Sequence, residues 1–217
     1  MGFSNSVTRW DSISGQKGRD YASSLEYLPE LFTLFKERNV KRILDLGCGS
    51  GGHLAYLADR EFEVYGIDNS KEAIDVARER FRENRLEGNL RIGSIYEELL
   101  YENRFFDAVI SFRAIYHTKI EDIRKIIEEI ERILKPQGLL FITTRKKTPN
   151  RTVLKHKMLD SRTYIPIEGE EAGVVHYAFN KKLLRREFRN FKIGCLRLDC
   201  GKQEWERYYC LIGELKH

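Results

Sequence analysis

Short runs of β-branched and aromatic residues alternate along the chain with stretches whose apolar positions recur every three or four residues. This is the pattern of a parallel sheet covered by helices on both faces. Leu25, Leu28, Leu31, Phe32 and Phe35 lie at helical spacing, and Pro29 starts a helix there or kinks a longer one. Val40 to Leu46 reads as the first strand, Gly52 to Arg60 as a helix and Glu63 to Ile67 as the second strand. A helix over Lys71 to Phe81 follows, with Asn69 or Ser70 placed to cap it. Leu90 to Ile92 and Phe106 to Phe112 are the third and fourth strands. Ile120, Ile123, Ile126, Ile127, Ile130 and Ile133 form one stripe on a helix reaching Leu134, which Pro136 and Gly138 stop, and Leu139 to Thr144 is the fifth strand. An irregular stretch comes next. Asn180 then caps a short helix to Phe188, and Phe191 to Leu198 pairs with Trp205 to Leu215 around Gly201 as a closing antiparallel pair.

No repeat or low-complexity linker divides the 217 residues, a length that suits one domain able to bury its own core. We read 1–39 as an N-terminal helical cap, 40–144 as a ligand-binding core, 145–179 as a lid and 180–217 as the closing helix and strand pair. The four cysteines, Cys48, Cys195, Cys200 and Cys210, include no C-x-x-C pair and no histidines at zinc-finger spacing, so no metal is expected. They read as buried thiols in a reduced setting, with Cys195 and Cys210 on neighbouring strands. There is no apolar run of membrane-spanning length and no secretory pattern at the start, which points to a soluble cytoplasmic protein with no membrane partner. The net charge of +5 comes from interspersed charges of both signs and does not of itself indicate nucleic acid.

The densest chemical signal is Ile43-Leu44-Asp45-Leu46-Gly47-Cys48-Gly49-Ser50-Gly51-Gly52, between the first strand and its helix. Glycines there let the backbone turn tightly and approach a ligand that a Cβ would strike. Gly47, Gly49 and Gly52 also satisfy the G-x-G-x-x-G dinucleotide pattern, which makes a nicotinamide dehydrogenase the competing class. Asp45 argues against it. A pyrophosphate at this turn would be repelled by the extra carboxylate, whereas a cationic ligand would be attracted.

Leu44 to Gly51 resembles motif I of the class I S-adenosylmethionine-dependent methyltransferases. The resemblance continues through Tyr65-Gly66-Ile67-Asp68-Asn69-Ser70, Phe106-Asp107-Ala108-Val109-Ile110-Ser111 and Leu134-Lys135-Pro136-Gln137-Gly138, in the family's order and spacing. It implies a doubly wound, mostly parallel seven-stranded α/β sheet with helices on both faces and a C-terminal antiparallel strand pair. It also implies S-adenosyl-L-methionine as cofactor, held by Asp45, Gly47, Gly49 and Gly51. Asp68 stands where a carboxylate accepts from both ribose hydroxyls, and Asn69 offers a face for adenine. Gly93-Ser94-Ile95 departs from the family, which often places an Asp after the Gly; Ser94 accepts more weakly, with Ile95 beside it. Phe112 completes the cofactor set, and Asp107, at the start of its strand, is structural.

Ligands of doubly wound sheets gather at the carboxyl ends of the strands, which directs attention to residues 112–117. Arg113, Tyr116 and Tyr177 are the candidate acceptor-binding residues. His117 and His176 are the candidate catalytic ones, orienting or deprotonating a small-molecule acceptor; a histidine capping the next helix is the alternative for His117. Arg145 to Arg162 holds seven Lys or Arg against one Asp, either a solvated basic loop or an attractor of anions. Trp10, Asp11, Lys17, Arg19 and Tyr21 resemble segments that close over the cofactor in relatives. RNA or protein methylation is the alternative within the fold, though no nucleic-acid motif is present, and a non-catalytic cofactor-binding protein is the alternative outside it. A monomer or a homodimer is expected.

Overall fold

The computed structural model describes residues 27–146, 155–200 and 207–217. Leu25, the aromatic and basic residues Trp10 to Tyr21, Lys147 and Arg151 of the basic stretch, and Trp205 lie outside the described residues.

Among the described residues, five helices and ten strands follow one another: α1 (Leu28–Glu37), β1 (Arg42–Leu46), α2 (Gly52–Ala58), β2 (Glu63–Asp68), α3 (Lys71–Glu83), β3 (Asn89–Ile92), β4 (Phe106–Ser111), α4 (Ile120–Ile133), β5 (Leu134–Arg145), β6 (His156–Met158), β7 (Thr163–Pro166), β8 (His176–Tyr177), α5 (Lys181–Glu187), β9 (Phe191–Cys200) and β10 (Arg207–Leu215). Seven strands form one sheet in the order β3-β2-β1-β4-β5-β10-β9. The first five run parallel, while β10 is antiparallel to both β5 and β9. The order reverses direction between β1 and β4, so the crevice at their carboxyl ends is the switch point where ligands bind in such sheets.

Two apolar clusters cover the two faces. One joins Leu28, Leu31 and Phe35 of α1, Leu54 and Leu57 of α2, and Ile74, Ala77 and Phe81 of α3 to Ile43 and Ile110 of the sheet. The other joins the α4 isoleucines and Leu184 of α5 to Leu44, Val109, Leu140 and Leu211. The stripe read from the sequence is therefore the buried face of α4: Ile123, Ile126, Ile127, Ile130 and Ile133 are all buried. Local signals also hold. The Ser70 side chain caps α3 by accepting from the Ala73 N–H, and Asn180 caps α5 by accepting from the Leu183 N–H. Pro sits in the first turn of α1, where its missing N–H is harmless. Asp107 Oδ2 accepts from the Lys41 and Arg42 N–H groups, and its Oδ1 accepts from the Lys135 ammonium on β5 at 2.6 Å, which ties the amino ends of β1, β4 and β5 together.

Two expectations change. The helix α4 ends at Ile133, and the chain enters β5 at once, through Pro136 and Gly138, rather than at Leu139. Leu134 pairs with Phe106, the register then shifts, and Gln137 adopts φ +63° to absorb the irregularity. The stretch read as irregular after the fifth strand contains a second, three-stranded antiparallel sheet, β6-β7-β8. Its strands are too short to show a two-residue alternation in the sequence. Cys195 and Cys210 do lie on neighbouring strands, and Cys210 is buried, as is Cys48.

Candidate functional site

The turn after β1 is closed by its backbone: the Gly47 and Cys48 N–H groups both donate to the Ile67 carbonyl at the end of β2. Gly47, Gly49 and Gly51 all have positive φ. Their reasons differ. A Cβ on Gly47 would stand 2.3 Å from Ala114 Cβ, and one on Gly51 would stand 2.9 Å from Ala77 Cβ, so those two glycines serve packing within the protein. Among the described residues, a Cβ on Gly49 would meet nothing within 4 Å. With respect to them Gly49 faces open space at the switch point, which is where a ligand would come close to the backbone.

Asp45 lies beneath this turn, fully buried, and neither carboxylate oxygen has a hydrogen-bond partner among the described residues. The nearest cationic candidate, His53 Nδ1 on the first turn of α2, is 3.8 Å from Oδ2, beyond hydrogen-bonding reach. Burial, and after it the charge of Asp68, push the Asp45 carboxyl well above the usual carboxylate range. His53 cannot offset that charge. Burial, reinforced by Arg113, lowers its pKa to about 3, so the ring is neutral at physiological pH. A buried carboxylate in this state is a receptor for a cation carrying N–H donors.

Asp68, at the carboxyl end of β2, is held on both oxygens. Oδ2 accepts from the Gly49 N–H and Oδ1 from the Ser70 N–H, each at 2.9 Å. The two backbone bonds fix the orientation of the carboxylate, a group with about four acceptor sites. Asn69 beside it is half-buried. Ser94 Oγ accepts from the Tyr96 N–H at 3.2 Å, and Ile95 is buried against the sheet. Phe112 is buried too, with its ring stacked on His53 at 3.9 Å between centroids.

At the carboxyl ends of β4 and β5 a second group of polar side chains converges. Arg113 has φ +54°, donates its N–H to Thr143 Oγ1 at 2.8 Å and lays its guanidinium over Tyr208. Tyr116 is fully buried, and the Tyr177 N–H donates to its carbonyl at 2.8 Å, which docks β8 and the small sheet onto the loop after β4. Tyr177 itself is buried, its ring edge-on to Phe179. His117 Nε2 lies 3.8 Å from Glu171 Oε1, and His176 Nε2 lies 2.9 Å from Glu171 Oε2. The His176 Nδ1–H donates to the Val174 carbonyl at 3.0 Å. Arg145, buried at the end of β5, approaches Glu171 Oε2 at 3.3 Å. Burial alone would raise the Glu171 carboxyl, but the hydrogen bond with His176 and the charges around it hold it well below its ordinary range. Burial, then repulsion from His176, lowers the His117 pKa to about 3.

The two histidines expected from the sequence are thus brought together, and Glu171 and Arg145 join them. His53, Glu171 and Arg145 were not singled out for this role. His53 sits directly after the glycine turn, a position that could have drawn attention; Glu171 carries no local signal. Three of the described basic residues of the stretch are engaged within the protein: Arg145 with Glu171, Lys155 with Glu168, and Arg162 with the Ala178 carbonyl.

Comparison with known proteins agrees with this architecture. Residues 43–138 match the family model described as a methyltransferase domain. The PH0226 protein from Pyrococcus horikoshii OT3 is 25% identical, with a TM-score of 0.75 over 92% of this chain and 93% of that one. The N-methyltransferase NodS from Bradyrhizobium japonicum WM9, solved with S-adenosyl-L-homocysteine, shares the fold at 17% identity and a TM-score of 0.71, covering 96% of this chain and 99% of its own. Among curated proteins, the ubiquinone biosynthesis O-methyltransferase of Pelagibacter ubique (strain HTCC1062) is 33% identical over 111 residues, which are 51% of this chain and 44% of that protein. The chain spans about half the length of the curated relatives it matches. No helix among the described residues is long and apolar enough to cross a membrane. The glycine turn, the acid at the end of β2, the strand order and the matched domain agree: residues 43–138 form a methyltransferase domain, and the chain has the Rossmann-like fold of the class I S-adenosylmethionine-dependent methyltransferases.

Proposed function

We propose that this chain transfers the methyl group of S-adenosyl-L-methionine to a small-molecule acceptor by in-line displacement. The observation that carries the reading is the buried Asp45 carboxylate beneath the open face of Gly49, unpartnered among the described residues. A ligand bearing an ammonium satisfies it, whereas a dinucleotide pyrophosphate would be repelled. Asp68, fixed by the Gly49 and Ser70 N–H groups, is oriented to accept from a ribose diol, and Asn69, Ser94 and Ile95 flank the position of the base. The cofactor supplies an electrophilic sulfonium methyl, so the protein's task is to place the acceptor atom against it.

Arg113, Tyr116 and Tyr177 border the acceptor side, with His117 and His176 behind them. A histidine whose pKa is lowered to about 3 is always in its neutral form near pH 7 and has little driving force to take a proton. We therefore assign His117 to orienting the acceptor as a neutral hydrogen-bonding group, and His176 with Glu171 to holding it in place. The relatives named as O-methyltransferases favour an oxygen acceptor. The test is a panel of phenols, catechols, amines and thiols offered with methyl-labelled cofactor, with label transfer and S-adenosylhomocysteine release measured. Transfer to a small hydroxylated aromatic is expected. Binding of NAD with no response to S-adenosylhomocysteine would overturn the cofactor reading, and transfer only to RNA or protein would overturn the acceptor class.

A further inference from the structure

We propose that His117, Glu171 and His176 form a binding site for a divalent transition-metal ion of the zinc type at the acceptor end of the sheet. The observation is a convergence of donors from separate parts of the chain. His117 follows β4, Glu171 lies in the turn between β7 and β8, and His176 opens β8. One donor atom from each lies within 4.8 Å of the other two. The ligands of a tetrahedral zinc ion, at about 2.0–2.1 Å from the metal, stand roughly 3.3 Å apart, so the donors need close by only about 1.5 Å. Glu171 is the member able to move, since its side chain is one-third exposed while those of the histidines are buried.

Three further features fit an ion. The Val174 carbonyl can only accept, so His176 Nδ1 carries hydrogen and Nε2 is the nitrogen directed at Glu171, the backbone-carbonyl arrangement that orients metal-ligating histidines. Glu171 divides its oxygens: Oε2 takes His176 and Arg145, while Oε1 faces His117 across 3.8 Å, a gap too long for a hydrogen bond. The Tyr116 hydroxyl is buried without a partner among the described residues, and its ring packs 4.3 Å from that of His117. Two histidines and one glutamate are a known catalytic donor set for zinc, with a fourth position left for water or substrate. Such an ion would polarise an acceptor oxygen. Arg145 sets the limit: its charge beside Oε2 opposes a second cation, so replacing it should tighten binding. The proposal concerns binding by the protein alone and does not depend on methyl transfer.

The test uses the full chain after treatment with a chelator and buffer exchange, titrated with cobalt(II) and then zinc(II) in the absence of cofactor and acceptor. Expected are one cobalt ion per chain, visible d–d absorption of a low-coordinate site, displacement by zinc, and at least a tenfold loss of affinity in Glu171→Gln and in His117→Gln. S-adenosylhomocysteine binding, measured in the same samples, reports that each variant is folded. Wild-type protein that binds S-adenosylhomocysteine but takes up neither ion would overturn the proposal. So would ion uptake that both substitutions leave unchanged. Where a variant fails to fold, the wild-type titration with Arg145→Met decides: tighter cobalt binding supports the site, and unchanged or weaker binding refutes it.

Discussion

Replacing Asp45 with asparagine should separate what the cofactor pocket needs from what the fold needs. The substitution keeps the shape of the side chain and removes its charge. In the free protein that charge is buried, has no hydrogen-bond partner among the described residues, and feels the neighbouring Asp68 carboxylate. An unsatisfied buried group of this kind costs about 1–3 kcal/mol. Asp45→Asn removes the charge but leaves an amide that is equally unpartnered, so the ligand-free protein at pH 8 should gain only about 1 kcal/mol or less, and each kcal/mol raises Tm by about 2–4 °C for a domain of this size. The ligand-bound state should respond in the opposite sense. Hydrogen bonds to a charged group contribute about 1.5–3 kcal/mol, so affinity for S-adenosylhomocysteine should fall by about one to two orders of magnitude. Thermal denaturation of both proteins, with and without S-adenosylhomocysteine, together with calorimetric titration, reads both effects. A variant that melts below the wild type and binds as tightly would refute the reasoning, because Asp45 would then be a satisfied structural carboxylate.

Asp68→Ala should weaken S-adenosylhomocysteine binding by about 1.5–3 kcal/mol, since it removes the acceptor for the diol and releases the Gly49 N–H; unchanged affinity by calorimetry would reduce the residue to a helix-capping role. Gly47→Ala and Gly49→Ala should diverge in urea denaturation. The first adds a Cβ 2.3 Å from Ala114 and should lose more than about 2 kcal/mol, whereas the second meets only the left-handed backbone penalty, about 1 kcal/mol, and shows its defect in cofactor binding. The fold should also be acid-labile. His53 and His117 both have folded pKa values lowered to about 3 from 6.5, so below pH 6.5 the unfolded chain takes up protons that the native protein does not, and stability falls with pH down to about 3. At pH 5 this amounts to about 2 kcal/mol per histidine. Asp45, whose carboxyl is raised in the folded protein, contributes in the opposite direction, so the test is the difference between proteins: His53→Asn should be less acid-labile than the wild type by denaturation across that range, and a variant with the same or a steeper decline would show the sign to be wrong.

What was legible in the sequence is what local chemistry enforces. Ser70 and Asn180 cap their helices because a side-chain oxygen at that position meets an orphan N–H whatever surrounds it. The isoleucine stripe of α4 and the glycine turn carry their periodicity and φ requirements in single segments. The positions of Asp45 and Asp68 beside that turn, toward the carboxyl ends of their strands, were also legible. Their hydrogen-bonding states, one bare and one doubly held, could not be seen. The sheet β6-β7-β8 escaped notice because strands of two to four residues are defined by their partners and not by any pattern of their own. Glu171 escaped for the same reason, since it gains meaning only when β7 and β8 bring it against the loop after β4. The early start of β5 was hidden by Pro136 and Gly138, which read as helix terminators and are tolerated in the strand through a register shift and a positive φ at Gln137.

The two halves of the crevice differ in how their charges are met, and this bears on the acceptor. On the cofactor side the Asp45 carboxylate has no partner among the described residues, and we expect the ligand to supply the compensating charge. On the acceptor side Arg145 is already opposed by Glu171 and lies near the Tyr208 hydroxyl, and Arg113 is spread over the Tyr208 ring. Of the basic residues in 145–162, Arg145 is thus opposed within the protein by Glu171. A free anion would have to displace Glu171 to reach Arg145, at the cost of leaving His176 without its partner. On the proposed reading, selection at this end would rest on aromatic walls and on hydrogen bonding to Tyr116, His117 and the Glu171 carboxylate. We therefore expect a neutral hydroxylated acceptor to be preferred over a phosphorylated or strongly acidic one, a preference that competing the two kinds of acceptor in one labelled-cofactor assay would test.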